Sequence, residues 1–271
     1  MSIPIRTLTS RDNSDFRFWL RLAQARVGRT GVDRVLLEGR HLCEAWCDHN
    51  GLPLVLIVGE SMQPQPWVQE LWQACEETRR IVLQDSLARL LSQVEHGPAV
   101  FCVVAPPRPA LPDRVTQGCL WLDRVQDPGN LGTLLRTAAA AGLSQAMLSS
   151  GCAQAWSPKV LRSGQGAHFA LQIHERVDLG ALADRLDVPL AVTTLEQARS
   201  LYDVDLRRPC AWLFGNEGQG VAPDLLARAT RRIHIPQEPA VESLNVAAAA
   251  AICLFEQRRQ QWVHGASPVA G

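Results

Sequence analysis

The stretch from Ile235 to Arg259 reads "IPQEPAVESLNVAAAAAICLFEQRR". A proline-containing loop leads into Ser-Leu-Asn, and five consecutive alanines, Ala247 to Ala251, follow one residue later. Alanine has the highest helix propensity, so the run predicts a helix. Because alanine fills little space, the run also indicates that another helix, a backbone or a ligand approaches closely. The alternative is a helix that faces solvent, and the apolar "AICLF" segment weighs against it.

The rest of the second half alternates between apolar strands and short helices. The predicted strands are "CLWLDRV", "QAMLSS", "VPLAVTTL", "CAWLFG" and "RRIHIP", and the predicted helices are "LGTLLRTAAAAG", "SPKVLRS" and "APDLLARA". Apolar strands of this kind are buried on both faces in parallel sheets. In such sheets ligands bind at the carboxyl ends of the strands, so the loops that follow the strands are the first candidates for a site.

The first half predicts a smaller α/β domain, with strands at "RVLLEG", "LPLVLIVGE" and "AVFCVVA". Four prolines within residues 105–114 indicate a linker. We therefore expect an N-terminal domain over residues 1–107, a linker over 108–115 and a second domain over 116–271.

Charge is unevenly distributed although the net charge of the chain is zero. Residues 1–34 contain seven arginines and three aspartates, a balance of 7 − 3 = +4. Residues 35–104 contain four arginines and nine acidic residues, a balance of 4 − 9 = −5. The basic arm from Arg6 to Arg34 is a candidate for guiding RNA, and a solvated surface arm is the alternative.

Eight cysteines are scattered along the chain without a CxxC pair, and most lie in apolar runs. The amino terminus is polar, and no apolar run approaches the length of a membrane span. This pattern predicts a cytoplasmic protein with reduced, buried thiols. The histidines form no HxxxH or Cys/His cluster, so we expect no metal site.

Three loops after predicted strands contain unusual polar residues. In "DPGNLGTLLR", Asn130 lies at the start of a helix and Arg136 lies six residues later. The alternative makes Asn130 a helix cap and Arg136 a surface charge. In "FGNEGQG" the glycines would let a ligand approach the backbone, with Glu217 beside it, and a tight turn is the alternative. In the opening stretch, Ser243 is either a helix cap or part of a site.

Together, "DPGNLGTLLRTA", "LFGNEGQGV" and "IPQEPAVESLNVAAAAAICLFE" resemble the three successive motifs of the SpoU (TrmH-type) RNA ribose 2'-O-methyltransferases. The resemblance covers most of residues 119–260. The shorter stretch "RVLLEGRHLCEAW" resembles the N-terminal substrate-binding domain of many members.

The resemblance implies a parallel-sheet methyltransferase domain with a deep trefoil knot of the SPOUT type, and S-adenosylmethionine as the cofactor. It also implies a homodimer through the last helix and an RNA substrate, with ribosomal RNA favoured over transfer RNA. The alanines would then be small because the last helix packs closely in the knot and in the dimer.

Site residues carry over from the resemblance by position. It implies cofactor contacts at Gly215, Ile235, Leu244 and Thr193. It implies a catalytic pocket formed by Arg136, Asn130, Glu217, Ser243 and Asn245. In "SPKVLRSGQGAHF" many members have a serine where this chain has Gly164, so we assign that segment no catalytic role.

Two interpretations of Arg136 remain open. The resemblance implies that it is the general base, but a guanidinium loses its proton only above about pH 12. Alternatively, Arg136 holds a phosphate and orients the hydroxyl. Glu217 is the other candidate base, and Ser243 and Asn245 would orient Arg136 through hydrogen bonds.

Two further functions are weighed against methyl transfer. A non-catalytic RNA-binding protein that keeps the fold is disfavoured by the intact polar set. A dinucleotide-dependent enzyme is disfavoured by the GxxGxG spacing of "GNEGQG".

Overall fold

The computed structural model describes residues 3–24, 34–95, 97–238, 240 and 243–263. The chain forms two compact units. The first comprises Met1–Pro107 and Trp156–Phe169, and the second comprises Arg108–Ala155 and Ala170–Gly271. The first break falls where the predicted linker begins. The segment 156–169, which the sequence places in the second domain, packs instead within the first unit.

The first unit contains a five-stranded sheet with the strand order β1-β4-β3-β5-β2. Strand β5 runs antiparallel to both β3 and β2, whereas β1, β4 and β3 are parallel. Its elements are β1 (Arg6–Leu8), α1 (Ser14–Ala23), β2 (Val35–Glu38), α2 (Arg40–Asn50), β3 (Val55–Gly59), α3 (Pro66–Ala74), β4 (Arg79–Leu83), α4 (Asp85–Leu91) and β5 (Val100–Val104).

The predicted basic arm is a folded part of this unit over its described residues. Strand β1 pairs with β4, and Asn13 caps α1 by accepting from the amides of Asp15 and Phe16. Phe16 and Trp19 are buried in the core of the first unit. Because α1 hides this apolar face, it cannot leave the sheet without exposing the core. Residues 25–33 of the predicted arm lie outside the described residues.

Aromatic and aliphatic contacts explain why residues 156–169 belong to the first unit. Leu161 is buried in an apolar cluster that includes Leu37 and Leu56. Phe169 packs edge-to-face on Trp46, with 5.6 Å between the ring centroids. Burial of these side chains stabilises the segment by roughly 1.5–3 kcal/mol for each large apolar group.

The second unit contains a seven-stranded sheet with the order β10-β12-β9-β11-β6-β7-β8, and every neighbouring pair is parallel. In chain order, the elements after β5 are β6 (Cys119–Leu122), α5 (Pro128–Ala140), β7 (Gln145–Leu148), α6 (Pro158–Gly164, in the first unit), β8 (Gln172–His174), α7 (Leu179–Ala183), β9 (Leu190–Thr193), β10 (Arg199–Ser200), β11 (Ala211–Phe214), α8 (Pro223–Arg228), β12 (Arg231–His234) and α9 (Val246–Val263). The predicted parallel α/β sheet is confirmed, and its central strands β6 and β11 are buried throughout.

The alanine run forms the first turns of α9, which packs on α5. Ala247 and Ala250 are buried, whereas Ala248 is exposed. The close approach that the sequence indicates therefore occurs on one side of the helix. Further along α9, the buried side chain of Gln257 accepts a hydrogen bond from the indole of Trp212 at 2.8 Å, which fixes the helix against β11.

All eight cysteines lie in the described residues, and all are free thiols. Within the described part of the chain, no helix has the length and apolar character needed to cross a membrane.

Candidate active site at the carboxyl edge of the second sheet

Four adjacent strands of the second unit, in the order β12-β9-β11-β6, end at the same edge of the sheet. Parallel strands present their carboxyl ends at a common edge, where ligands bind in open α/β folds. Thr193 is the last residue of β9, Gly215 directly follows β11, and Ile235 directly follows β12. All three are partly buried. The sheet therefore places three of the four predicted cofactor contacts at the ends of neighbouring strands.

Asn130 lies in the first turn of α5 and is not its cap. The carboxylate of Asp127 caps the helix by accepting from the backbone amide of Asn130 at 2.7 Å. The side chain of Asn130 is thus available for other contacts. Its amide nitrogen donates to Oε1 of Glu217 at 3.1 Å, and its oxygen accepts from the side chain of Asn245 at 3.0 Å. Three residues from three separate loops are thereby joined in one chain of hydrogen bonds.

Glu217 receives two further hydrogen bonds, from the backbone amides of Gln126 at 3.4 Å and Asp127 at 3.3 Å. Partial burial by itself raises the pKa of the Glu217 carboxyl, but the hydrogen bonds from Asn130 and from the backbone amides outweigh burial. The net pKa of Glu217 therefore lies below its ordinary value. A carboxyl with a lowered pKa is ionised at neutral pH and is a weak proton acceptor, which disfavours Glu217 as the general base.

Asn245 caps α9, because its side-chain oxygen accepts from the amides of Ala247 at 2.9 Å and Ala248 at 3.4 Å. The alternative of Ser243 as the cap is therefore wrong. Ser243 is exposed, and its hydroxyl makes no hydrogen bond with any described residue. Leu244, the fourth predicted cofactor contact, lies between them and is partly buried.

Arg136 lies on the exposed face of α5, about 9 Å further along the helix axis than Asn130. Within the described residues it makes no hydrogen bond and no ion pair. The expectation that Ser243 and Asn245 orient Arg136 by hydrogen bonds is therefore wrong in this structure, since Asn245 bonds to Asn130 instead. A solvent-exposed guanidinium without a carboxylate partner keeps all five of its N–H donors for a ligand.

The glycine-rich loop after β11 closes on itself. Asn216 and Gly220 exchange two backbone hydrogen bonds of 3.0 Å and 2.9 Å. A Cβ atom at Gly215 would overlap the backbone of Gly220 and Val221, so only glycine fits there. The backbone that approaches Gly215 closely is therefore that of the loop itself. The alternative of a tight turn is confirmed for this loop.

A buried carboxylate that the sequence analysis missed organises these loops. Asp123, directly after β6, is 4% exposed and pairs with Arg124. It also accepts from the backbone amide of Ala222 at 2.9 Å, which ties the end of the glycine-rich loop to β6. Arg124 adopts a φ of 53°, a left-handed conformation that side chains other than glycine and asparagine seldom adopt, and donates to Gln219 at 3.0 Å. The signal in the sequence was a charged residue placed directly after an apolar strand.

Asn216 was also missed. Its side-chain oxygen accepts from the amides of Gly218 and Gln219, both at 3.0 Å, and its nitrogen donates to the carbonyl of Arg124 at 2.8 Å. Asn216 therefore holds the loop that carries Glu217. Among the residues that the structure describes, no three histidine, cysteine, aspartate or glutamate side chains are grouped to hold a metal ion.

Residues 118–255 match the sequence profile of the SpoU rRNA Methylase family. The chain belongs to this family. A Synechocystis relative named as an uncharacterized tRNA/rRNA methyltransferase is 34% identical, and the match covers 95% of each chain. The 23S rRNA (guanosine(2553)-2'-O)-methyltransferase RlmP of Bacillus subtilis is 31% identical over 94% of this chain and 100% of its own length.

Solved structures of SpoU-family proteins have a similar fold. The SpoU methyltransferase AviRb from Streptomyces viridochromogenes, in complex with the cofactor AdoMet, superimposes with a TM-score of 0.81 at 26% identity. The match covers 92% of this chain and 98% of AviRb. The family profile contains every residue of the hydrogen-bonded cluster, since Asn130, Glu217 and Asn245 all lie between residues 118 and 255.

Proposed function

We propose that this protein transfers a methyl group from S-adenosylmethionine to a ribose 2'-hydroxyl of ribosomal RNA. The observation that carries the proposal is the hydrogen-bonded chain Glu217–Asn130–Asn245, which lies in the matched part of the SpoU family together with the exposed Arg136. The names of the relatives support the choice of ribosomal RNA, since the Bacillus protein is named for 2'-O-methylation of 23S rRNA. Transfer RNA is the second candidate, which the name of the Synechocystis relative also contains.

The carboxyl edge of the sheet fits S-adenosylmethionine. Thr193, Gly215, Ile235 and Leu244 are each partly exposed, so a ligand can reach them. Leu195, two residues after β9, is 74% exposed and offers apolar surface of the kind that covers a nucleoside. When bound, the cofactor supplies an activated methyl group on a cationic sulfur. The ionised Glu217, two residues after Gly215, provides a negative charge that complements such a cation.

We propose that Arg136 positions the RNA and does not act as the base. An exposed guanidinium remains charged near pH 7, and its planar fork binds two phosphate oxygens together. Held in this way, the ribose hydroxyl is oriented for in-line attack, and positioning alone contributes a large part of such a rate enhancement. With the cofactor bound, the carbon–oxygen bond would form as the methyl–sulfur bond breaks. The sulfur would keep the bonding electron pair and lose its positive charge, and the hydroxyl proton would go to solvent water.

The hydrogen-bonded cluster keeps the three loops in register during this step. Asn130 is the central member, since it donates to Glu217 and accepts from Asn245. Asn245 also caps α9, so the cluster links the position of the last helix to the loop that follows β11. We propose that this arrangement keeps the cofactor loops preformed, which lowers the cost of ordering them on binding.

We also propose that the second unit forms a homodimer through the exposed face of α9. Ala248, Phe255 and Trp262 recur at intervals of seven residues, which places them along one face of the helix. Phe255 is 44% exposed and Trp262 is 46% exposed. Large apolar side chains grouped on one exposed face mark an association surface. The small side chain of Ala248 would let two helices approach closely.

The knot is a further proposal. Strand β12 is among the last elements in sequence, yet it lies between β10 and β9, and α9 returns to pack on α5. The position of β12 between two earlier strands supports the proposal that the C-terminal segment passes through a preceding loop, as the resemblance implies. We also propose that the first unit is the RNA-binding domain of the protein.

Cofactor binding and label transfer test the proposed function. We expect calorimetry to show one S-adenosylmethionine per chain and no binding of NAD⁺. Methyl-labelled S-adenosylmethionine should then label ribosomal RNA from cells that lack the protein, and not transfer RNA from the same cells. Cofactor binding without label in either pool would favour the non-catalytic RNA-binding alternative.

A further inference from the structure

A cavity of about 360 Å³ lies within the first unit, and nothing in the proposed reaction uses it. Its wall is mostly aliphatic, contributed by β2, α2, α4, the loop before β5 and α6. The apolar wall residues include Leu36, Leu42, Leu91, Val94, Pro98 and Leu161. A cavity of this size is at the lower end of the range for small-molecule sites, large enough for one nucleotide and too small for a folded partner.

Helix α6 supplies one side of the cavity. Pro158, Leu161, Arg162 and Gln165 all line it, and all belong to the segment "SPKVLRSGQGAHF", which has no role in the catalytic cluster. This segment packs with the first unit although both of its chain neighbours belong to the second. The segment therefore lines the cavity and contributes nothing to the catalytic cluster.

Two arginines contribute to the polar lining, beside Glu38, His41, Gln93 and Gln165. Arg40 and Arg162 line the cavity and are exposed, and each makes only part of the hydrogen bonds available to a guanidinium. Arg162 donates one bond to the carbonyl of Gln93 at 3.1 Å. Arg40 forms an ion pair with Glu44 at 2.8 Å and lies over the ring of Trp67, 5.3 Å from its centroid, so Arg162 is the less engaged of the two. The lining therefore has donors left for phosphate oxygens.

Glu38 is the one carboxylate among the residues that the structure places in the cavity wall, and it is already engaged. Its oxygens accept from the hydroxyl of Ser92 and from the amide of Gln93 at 3.0 Å and 3.2 Å. A carboxylate held in this way repels an anion less than a free one would. Apolar walls with cationic groups beside them match the two parts of a nucleotide, a flat base and a charged phosphate.

We infer that this cavity takes one unpaired nucleobase of the RNA substrate, at a nucleotide other than the methylated one, with an adjacent phosphate held by Arg40 and Arg162. The inference rests on the proposed function for the identity of the polymer. Sequence-specific RNA recognition targets unstacked bases in loops and bulges, which such a cavity admits one at a time. The side-chain nitrogen of Gln165 donates to the carbonyl of Arg162 at 2.6 Å, which leaves its oxygen and its second N–H for the edge of a base.

The test uses the full chain and RNA binding without turnover. Val94, which is 43% exposed, is replaced by tryptophan to fill the cavity, and Leu90→Trp is the matched control because Leu90 is 38% exposed at the end of α4 and does not line the cavity. Fluorescence anisotropy with a labelled single-stranded RNA decamer of mixed sequence, without cofactor, should show Val94→Trp weakening binding at least fivefold relative to Leu90→Trp. Equal affinities of the two variants, within twofold, would overturn the inference.

Charge and base are then tested separately. We expect Arg162→Glu to weaken binding of the decamer at least fivefold more than Arg89→Glu, an exposed arginine on α4 outside the cavity. An abasic decamer, which keeps the phosphates and lacks the bases, should bind Val94→Trp and Leu90→Trp equally. If Val94→Trp weakens the abasic strand as much as the normal one, no base enters the cavity and the inference fails.

The outcome separates this inference from the proposed function. Cavity-dependent RNA binding by a wild-type protein that transfers no methyl group would refute the proposed function and leave the inference standing. Methyl transfer to ribosomal RNA, combined with equal RNA affinity of Val94→Trp and Leu90→Trp, would refute the inference alone.

Discussion

The two units of this protein contain two different kinds of site. In the second unit, Asn130, Glu217 and Asn245 come from three loops and are joined by direct hydrogen bonds. In the first unit, aliphatic side chains surround a cavity with few polar groups. A hydrogen-bonded cluster needs particular side chains at particular positions, whereas an apolar wall accepts almost any aliphatic residue of suitable volume. The first kind of site leaves a motif in the sequence, and the second leaves none.

The largest expected effect concerns Arg136, which, like Ser243, is a predicted catalytic residue that stands outside the cluster. Because Arg136 is exposed and makes no hydrogen bond to the described residues, Arg136→Ala should leave stability within about 0.5 kcal/mol of the wild type. Loss of a positioning guanidinium should reduce kcat by roughly 10²–10³-fold, comparable with the removal of one preorganised hydrogen-bond donor. Single-turnover methyl transfer measures the rate, and calorimetry should show unchanged affinity for S-adenosylmethionine.

Arg185→Ala is the matched control, since Arg185 is also exposed and lies in the second unit, after α7. It should retain full activity. Full activity in Arg136→Ala would remove Arg136 from the site and leave the hydrogen-bonded cluster as the whole of the catalytic apparatus.

Asn130→Ala breaks the cluster at its centre. The substitution leaves the carboxylate of Glu217 and the amide of Asn245 each without one partner. Both side chains are exposed, so water replaces the lost partner and each hydrogen bond contributes only about 0.5–1.5 kcal/mol to stability. We expect a 10- to 100-fold loss of kcat, smaller than for Arg136→Ala, together with a lower melting temperature. Thr133→Ala, on the exposed face of the same helix, should change neither by a comparable amount, and equal effects of the two substitutions would contradict a role for the cluster.

A substitution on α9 tests whether the second unit forms a homodimer. Ala248→Leu places a larger side chain on the exposed face beside Phe255, where close helix approach is proposed. We expect the dimer dissociation constant to rise about tenfold by analytical ultracentrifugation, with the fold retained. Ala250→Leu differs because Ala250 is fully buried, so overpacking should lower stability by about 1–3 kcal/mol in the monomer itself. A monomeric wild-type protein at micromolar concentration would contradict the proposal.

The smallest effect concerns the acid side of the stability curve. Burial raises the pKa of Glu217, but its hydrogen bonds lower the pKa by a larger amount. The pKa in the folded state therefore lies below the ordinary value. A carboxyl of this kind stabilises the fold above its unfolded pKa of about 4.3, and the stabilisation is lost as the pH falls through the folded value. Glu217→Gln should therefore flatten the decline of stability below about pH 4.3. Urea midpoints measured against pH in both proteins check this, and parallel curves would contradict the assigned pKa direction.

The sequence predicted the parts of the fold that depend on local patterns. Apolar strands such as β6 and β11 follow from residue type alone, and so does the end of the predicted helix "LGTLLRTAAAAG" at Gly142, which has a φ of +86°. Strand β1 and helix α1 were missed, because charge dominated the interpretation of residues 1–34 and hid the apolar spacing of Phe16 and Trp19. The placement of α6 depends on contacts with residues more than a hundred positions away, and no local pattern encodes it.

The candidate site divides in the same way. Asn130 and Glu217 stand out as polar residues in glycine-rich loops, whereas Asn245 and the catalytic role of all three came from the resemblance to the SpoU motifs. Their partners were not predicted, since Asn245 pairs with Asn130 and Arg136 stays apart. Asp123 was missed because one carboxylate after a strand is common in sequences, and its burial and its bond to Ala222 appear only when the loops are folded.

The most direct test of the central claim is nucleoside analysis of ribosomal RNA treated with S-adenosylmethionine and either wild-type protein or Arg136→Ala. The RNA comes from cells that lack the protein, and mass spectrometry identifies 2'-O-methylated nucleosides after digestion. The account predicts one additional 2'-O-methylated nucleoside with the wild type and none with Arg136→Ala, although both bind the cofactor equally. No product with a wild-type protein that binds S-adenosylmethionine, or equal product with both proteins, would contradict it.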